Sequence, residues 1–139
     1  MDPKFEDSET FKNLKNSFYE ESGLAMRYKF FAIVAEFEGL DRYVDLFKEM
    51  AEGADCNVHG ALDFLRLVKD PSSDIPIGGT NKNVESILQT EVQQYSEIYP
   101  EMAKMARKEG FTDVASWFDT LEKLKRAHVR KIKRVTNDK

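Results

Sequence analysis

Apolar residues recur at alternating spacings of three and four along four stretches of the chain. That spacing predicts four amphipathic helices. The first spans about residues 10–38, with Phe11, Leu14, Phe18, Glu21, Ala25, Tyr28, Ala32 and Ala35 on one face. Gly39 supplies a stop, and Asp41 a cap for the next helix. The second spans about residues 41–69, with Phe47, Met50, Ala54, Asn57, Ala61, Phe64 and Val68 inward. The stretch from Asp70 to Thr80 is rich in Pro, Gly, Ser and Asp, too long for a tight turn, and reads as a crossover loop. A third helix starts at Asn81 or Asn83 and runs to Lys108, with Val84, Leu88, Glu91, Tyr95, Ile98, Met102 and Met105 inward. Pro100 inside it should bend or loosen it. After Gly110, the fourth helix runs from about Thr112 to Val135, with Val114, Phe118, Leu121, Lys125, His128, Ile132 and Val135 inward.

The two halves echo one another. Ala35 to Leu40 resembles Ala106 to Phe111, and the same offset carries Phe47 to Phe118, Met50 to Leu121, Ala54 to Lys125 and Asn57 to His128. Two antiparallel helical hairpins joined by one long crossover make an all-α fold of the ferritin-like four-helix bundle kind. The expectation is a single domain over residues 1–139.

Several stripe residues are polar. In an antiparallel hairpin, residues at equal distance from the turn lie level. A turn near residues 39 and 40 sets Glu21 level with about residue 58, beside Asn57. A turn near residue 110 sets Glu91 level with His128, and Gln94 with Lys125. Residues at i and i+3 share a helix face, so Ala54/Asn57, Glu91/Gln94 and Lys125/His128 form three such pairs at the depth of Glu21. One stray polar residue in a core stripe is common; five at one level point to a site. Carboxylates with Glu-x-x-His pairs there would hold two metal ions.

Composition narrows the partners. The 139 residues carry a formal net charge of −4, with 41% hydrophobic and 33% charged residues. That balance suits a single domain with its own core and argues against nucleic-acid binding. No apolar run is long enough to span a membrane, and no signal peptide is visible at the N-terminus. One cysteine, Cys56, excludes an internal disulfide and Cys-x-x-Cys metal sites, in keeping with a reducing, cytoplasmic setting. With no activating neighbour, Cys56 reads as an inert thiol, and His59 as a surface histidine. The basic run Lys123 to Arg134 reads as a solvated face at a helix C-terminus, with an acidic partner as the minority reading.

The stretches Asn13 to Ser22 with Arg27, Tyr28, Phe31 and Ala32, Ala51-Glu52-Gly53 with Gly60 to Leu65, Thr90 to Pro100, Ala106 to Phe111, and Trp117-Phe118 through His128 resemble the rubrerythrins, ferritin-like di-iron peroxidases. The likeness covers nearly the whole chain. It implies metal ligands at Glu21, at Ala54 and Asn57, at Glu91 and Gln94, and at Lys125 and His128. Three of these, Glu21, Glu91 and His128, are residual ligands; the other four positions are substituted. It implies that Tyr28 and Tyr95 line the oxygen-reactive pocket; as core residues they would hydrogen-bond through their hydroxyls. The family's rubredoxin module, with two Cys-x-x-Cys pairs, is not in this sequence.

Bridging carboxylates neutralise and hold two irons, whereas a Lys125 ammonium would repel them and neutralise Glu21 and Glu91 instead. The expected site is therefore an ion and hydrogen-bond cluster of Glu21, Asn57, Glu91, Gln94, Lys125 and His128 with no metal cofactor. The alternatives are one iron held by Glu21, Glu91 and His128, or a di-iron pair. The expected function is a pseudoenzyme with a structural or partner-binding role, as a homodimer or with an unknown protein. The alternative is a non-haem iron oxidoreductase reducing hydrogen peroxide with a reduced ligand set.

Overall fold

A computed structural model describes residues 3–66, 68, 70, 72–76 and 78–137. The chain divides into two compact units, Met1–Pro71 and Ser72–Lys139. Each is an antiparallel helical hairpin, and each is described by itself.

The first unit opens with a short turn of helix, α1 (Pro3–Glu6), followed by α2 (Glu9–Phe37) and α3 (Asp41–Leu65). Ser8 sets the start of α2: its Oγ accepts from the Phe11 amide at 3.1 Å and donates to the Phe5 carbonyl at 2.6 Å. At the other end Gly39 takes φ +72, and the Leu40 amide returns to the Ala35 carbonyl at 2.9 Å. This is a left-handed helix stop whose six-to-one hydrogen bond satisfies a terminal carbonyl.

Small side chains line the contact between α2 and α3: Ala25, Ala32 and Ala35 on one, Ala51, Ala54 and Ala61 on the other, all buried. Near the open end Phe11, Leu65 and Val68 form a cluster with Phe5, Leu14 and Phe18 packed on it. Near the turn Phe47 gathers Tyr28, Phe31 and Tyr43, with ring centroids 5.7–6.5 Å apart.

In the second unit the crossover segment is tied to α4 (Thr80–Gln93). The buried Ser73 and Ser86 hydroxyls meet at 2.7 Å, and the Gln89 amide donates to the Ser73 carbonyl at 3.1 Å. The Gly78 amide donates to Asn83 Oδ1 at 2.8 Å. A π-helical turn, Gln94–Ile98, follows, then α5 (Tyr99–Lys108) and α6 (Thr112–Asn137). Gly110 (φ +87) and the Phe111 amide bonded to the Ala106 carbonyl repeat the first hairpin's stop. The sequence echo between Ala35–Leu40 and Ala106–Phe111 is thus two copies of one turn. Ala103, Ala106, Ala115 and Val129 are the buried contact here. The Tyr99 and Phe118 rings stack at 6.3 Å, and Arg107 pairs with Asp119.

The expected helices are present, with three differences. First, α3 ends at Leu65 rather than near Lys69, because the Val68 amide turns back to Leu65 in a tighter i to i−3 bond; Lys69 itself lies outside the described residues. Second, the third helix is divided. Pro100 has no amide hydrogen to give Ser96, and the turn before it widens until the Tyr99 amide reaches the Gln94 carbonyl. A π turn inserts one extra residue, so the face beyond it slips by one: Ala103 and Ala106 are buried, while Met102 and Met105 are exposed. Third, Met50, Asn57, Phe64, Val114 and Val135 are exposed rather than inward. In each hairpin the line of closest approach runs through small residues, to which a count of large apolar residues gives little weight.

Two stability outcomes follow. Leu65 is fully buried, so Leu65→Ala should cost about 2–5 kcal/mol in chemical denaturation. Gly39→Ala and Gly110→Ala each force a β-carbon into the left-handed region and should cost about 1–2 kcal/mol in the same measurement.

Candidate functional site

The hairpin register places Glu21 on α2 opposite Asn57 on α3. The Asn57 side-chain amide donates to Glu21 Oε1 at 3.0 Å. One turn earlier Ala54 is buried and offers only a methyl group. The neighbouring polar side chains of α3 are not part of this contact. Asp55 is bound to Lys29, with nitrogen–oxygen distances of 3.3–3.4 Å. Cys56 is a free, exposed thiol, and His59 is exposed.

In the second hairpin α4 and α6 bring Glu91, Lys125 and His128 together. Lys125 Nζ donates to Glu91 Oε1 at 3.0 Å, and the two side chains are only 21% and 17% exposed. His128 Nδ1 lies 3.2 and 3.0 Å from Glu91 Oε1 and Oε2. A carboxylate can only accept, so Nδ1 carries the hydrogen and Nε2 faces away from this contact. One carboxylate is thus held by two donors, one of them a full positive charge. Both partners of that charge pair are largely out of water, where an unpaired charge is costly and a paired one is compensated. Glu91 and His128 also line a groove of about 350 Å³ between α4 and α6, walled by Val84, Ile87, Ile132 and Val135.

Each hairpin thus holds one hydrogen-bonded group, Glu21–Asn57 in the first and Glu91–Lys125–His128 in the second. At the first position of the π turn, the buried Oε1 of Gln94 has no partner among the described residues. His128 is about half exposed, less inward than its stripe position implies. Of the two tyrosines, Tyr28 stacks on Phe47 at 6.4 Å. Tyr95 lies under the Arg126 guanidinium at 4.6 Å, which also pairs with Glu122. This Arg126 cap was missed in the sequence, although Tyr95 and Arg126 lie nearly as level across the second turn as Glu91 and His128 do.

The donor set does not fit a di-iron centre. Ala54 has no donor atom. Asn57 and Gln94 are neutral amides, and the Asn57 nitrogen is already spent on Glu21. The Lys125 ammonium sits where a cation on Glu91 would have to go, and two positive charges sharing one carboxylate repel. Among the described residues, no three His, Cys, Asp or Glu side chains converge in an arrangement able to hold a metal ion.

Comparison with known proteins bears on the same residues. The Rubrerythrin family model matches residues 67–136. A rubrerythrin from Porphyromonas gingivalis is 30% identical over 135 residues, covering 94% of this chain and 68% of that protein. The chain belongs to the rubrerythrin family. A rubrerythrin from Nitratidesulfovibrio vulgaris is 28% identical over 129 residues (89% of this chain, 67% of that protein). Rubrerythrin-1 of Clostridium acetobutylicum is 27% identical over 132 residues (89% and 68%). With the family comes the fold class, an all-α ferritin-like four-helix bundle.

The Glu91–Lys125 pair can be weighed by a double-mutant cycle. Glu91→Gln and Lys125→Met each break it, and together they remove both charges. The expected coupling is about 1–3 kcal/mol in denaturation experiments, with each single variant less stable than the double.

Proposed function

We propose that this rubrerythrin-family bundle keeps the frame of a di-iron site but fills it with an ion pair, and that it works as a structural or partner-binding protein rather than as a peroxide-reducing enzyme. The observation that carries the reading is Lys125 Nζ at 3.0 Å from Glu91 Oε1. That ammonium supplies the positive charge that a metal would bring, at the carboxylate a metal would need. His128 Nδ1 contacts both oxygens of the same carboxylate. The substitutions at Ala54, Asn57 and Gln94 take away the further oxygen and nitrogen donors two irons require.

Such a centre has no redox couple. It holds two helices of a hairpin in register through charge and hydrogen bonds, and leaves the outer helix faces to make contacts. Candidate partners are a second copy of the chain or another protein.

Metal content decides between this reading and the peroxidase one. Protein purified without chelator and loaded with ferrous iron under anaerobic conditions should show no stoichiometric iron and no hydrogen peroxide reduction. About two irons per chain with an oxo-bridge absorption band would sink the proposal. The combined variant Ala54→Glu, Asn57→His, Gln94→Glu and Lys125→Glu should gain iron binding, because it returns three carboxylates and an imidazole to the frame and removes the ammonium.

A further inference from the structure

One side of α6 carries a row of cations. Lys123, Arg130 and Arg134 are spaced by close to whole turns of helix, so they stand in one line. Lys125, His128 and Ile132 each lie two residues from a member of that line, about half a turn away. The row is therefore on the far side of α6 from the Glu91 contacts and the groove beside them, and a body packed on the groove does not reach it. Arg126, Lys131 and Lys133 flank the row, and all of these side chains are exposed. Charge of this kind stays with water or with a counter-charge, because burial against apolar groups is costly.

The hairpin itself does not account for the row. The helix dipole favours cations in the last turn only. Helix α6 runs to Asn137, and Lys123 and Arg130 lie about four and two turns before that end. Arg126, Arg130 and Arg134 follow one another four apart, a spacing at which like charges repel. Arg126 is answered by Glu122 at 3.1 Å. Lys123, Arg130, Lys131, Lys133 and Arg134 make no ion pair among the described residues. The anions of α4 are committed elsewhere, Glu85 to Lys82 and Glu91 to Lys125, both at 3.0 Å.

The dimensions of the row choose its counter-charge. From Lys123 to Arg134 it is about 16 Å long, the reach of about five extended residues. All 25 Asp and Glu residues of the chain lie outside 123–137, and the net charge is −4, so the rest of the chain is strongly negative. A long polyphosphate strand would run past the row toward that negative remainder, whereas a short acidic segment ends within it. An anionic bilayer is gripped by large apolar side chains beside the cations, but Ala127 fills the row between Lys123 and Arg130. The guanidinium forks of Arg130 and Arg134 match carboxylates two bonds at a time.

We propose that this outer face of α6 docks a short acidic segment of another protein, about five residues long. The proposal names the chemistry of the partner and rests on the partner-binding reading for its biological meaning. Its test reads peptide binding, whereas that of the site reads iron, so either can fail alone.

Fluorescence anisotropy of a dye-labelled hexaglutamate peptide against the full chain should show binding at low salt that falls as salt rises. Arg130→Glu with Arg134→Glu should weaken it by about tenfold or more, with the helical circular dichroism kept. Arg130→Gln with Arg134→Gln removes the charges without reversing them and should weaken it by about threefold. Lys104→Glu with Lys108→Glu on α5 makes the same change in net charge as the first pair and should leave binding within about twofold of the unaltered chain. Absence of peptide binding at low salt overturns the proposal. So do equal losses from the α6 and α5 pairs, which would mean a response to net charge alone. Tighter binding of a six-nucleotide DNA strand, or of phosphatidylglycerol vesicles, than of the peptide overturns it as well, in favour of nucleic acid or membrane on this face.

Discussion

Alanine at the helix contacts is the constraint on which the other features depend. Where two helices meet through Ala25, Ala32 and Ala35 against Ala51, Ala54 and Ala61, the small side chains are buried, and a close-packed contact tolerates little sliding. Two matching turns, at Gly39 and Gly110, then fix which residues lie level. Register, in turn, determines chemistry. Glu21 reaches Asn57, and Glu91 reaches both Lys125 and His128, because each hairpin closes at a defined residue and packs without slack.

Within each hairpin the polar group is coherent as electrostatics. In a metal-binding bundle, carboxylates are tolerated in the interior because cations neutralise them. Here the Lys125 ammonium performs that neutralisation for Glu91, the His128 ring adds a hydrogen bond to it, and the Asn57 amide solvates Glu21. Only Gln94 breaks the accounting, with a buried oxygen that no described group satisfies. It sits at the start of the π turn, where the backbone is already distorted by Pro100 two turns of chain later in the same segment. Such orphaned polar atoms are uncommon in folded proteins, and this one coincides with a substituted ligand position.

Much of this was legible in the residues. Helix spacing placed the ends of α2, α5 and α6 within a residue or two, and level-counting across each turn found Glu21 beside Asn57 and Glu91 beside His128. What was hidden has physical causes. Periodicity weights large apolar side chains, whereas the tightest contacts use alanine, so Met50, Phe64 and Val114 were assigned inward and are exposed. Pro100 signalled a disturbance but not its form. A π turn shifts the face beyond it, which replaced Met102 and Met105 by Ala103 and Ala106 as the buried pair. The individual hydrogen bonds were not legible, because side-chain reach, unlike register, cannot be read from spacing. Gln94 and Lys125 share a level, yet the lysine extends one turn along to Glu91.

The partnership of Lys125 with Glu91 has a historical consequence. Any lineage that moves between a carboxylate-rich residue set and this one must do so one substitution at a time. Exchange of Lys125 for a carboxylate alone would set two negative groups against each other in a half-dry interior. The two residues therefore change most cheaply as a pair, because loss of either charge alone leaves the other without its partner in a half-dry contact.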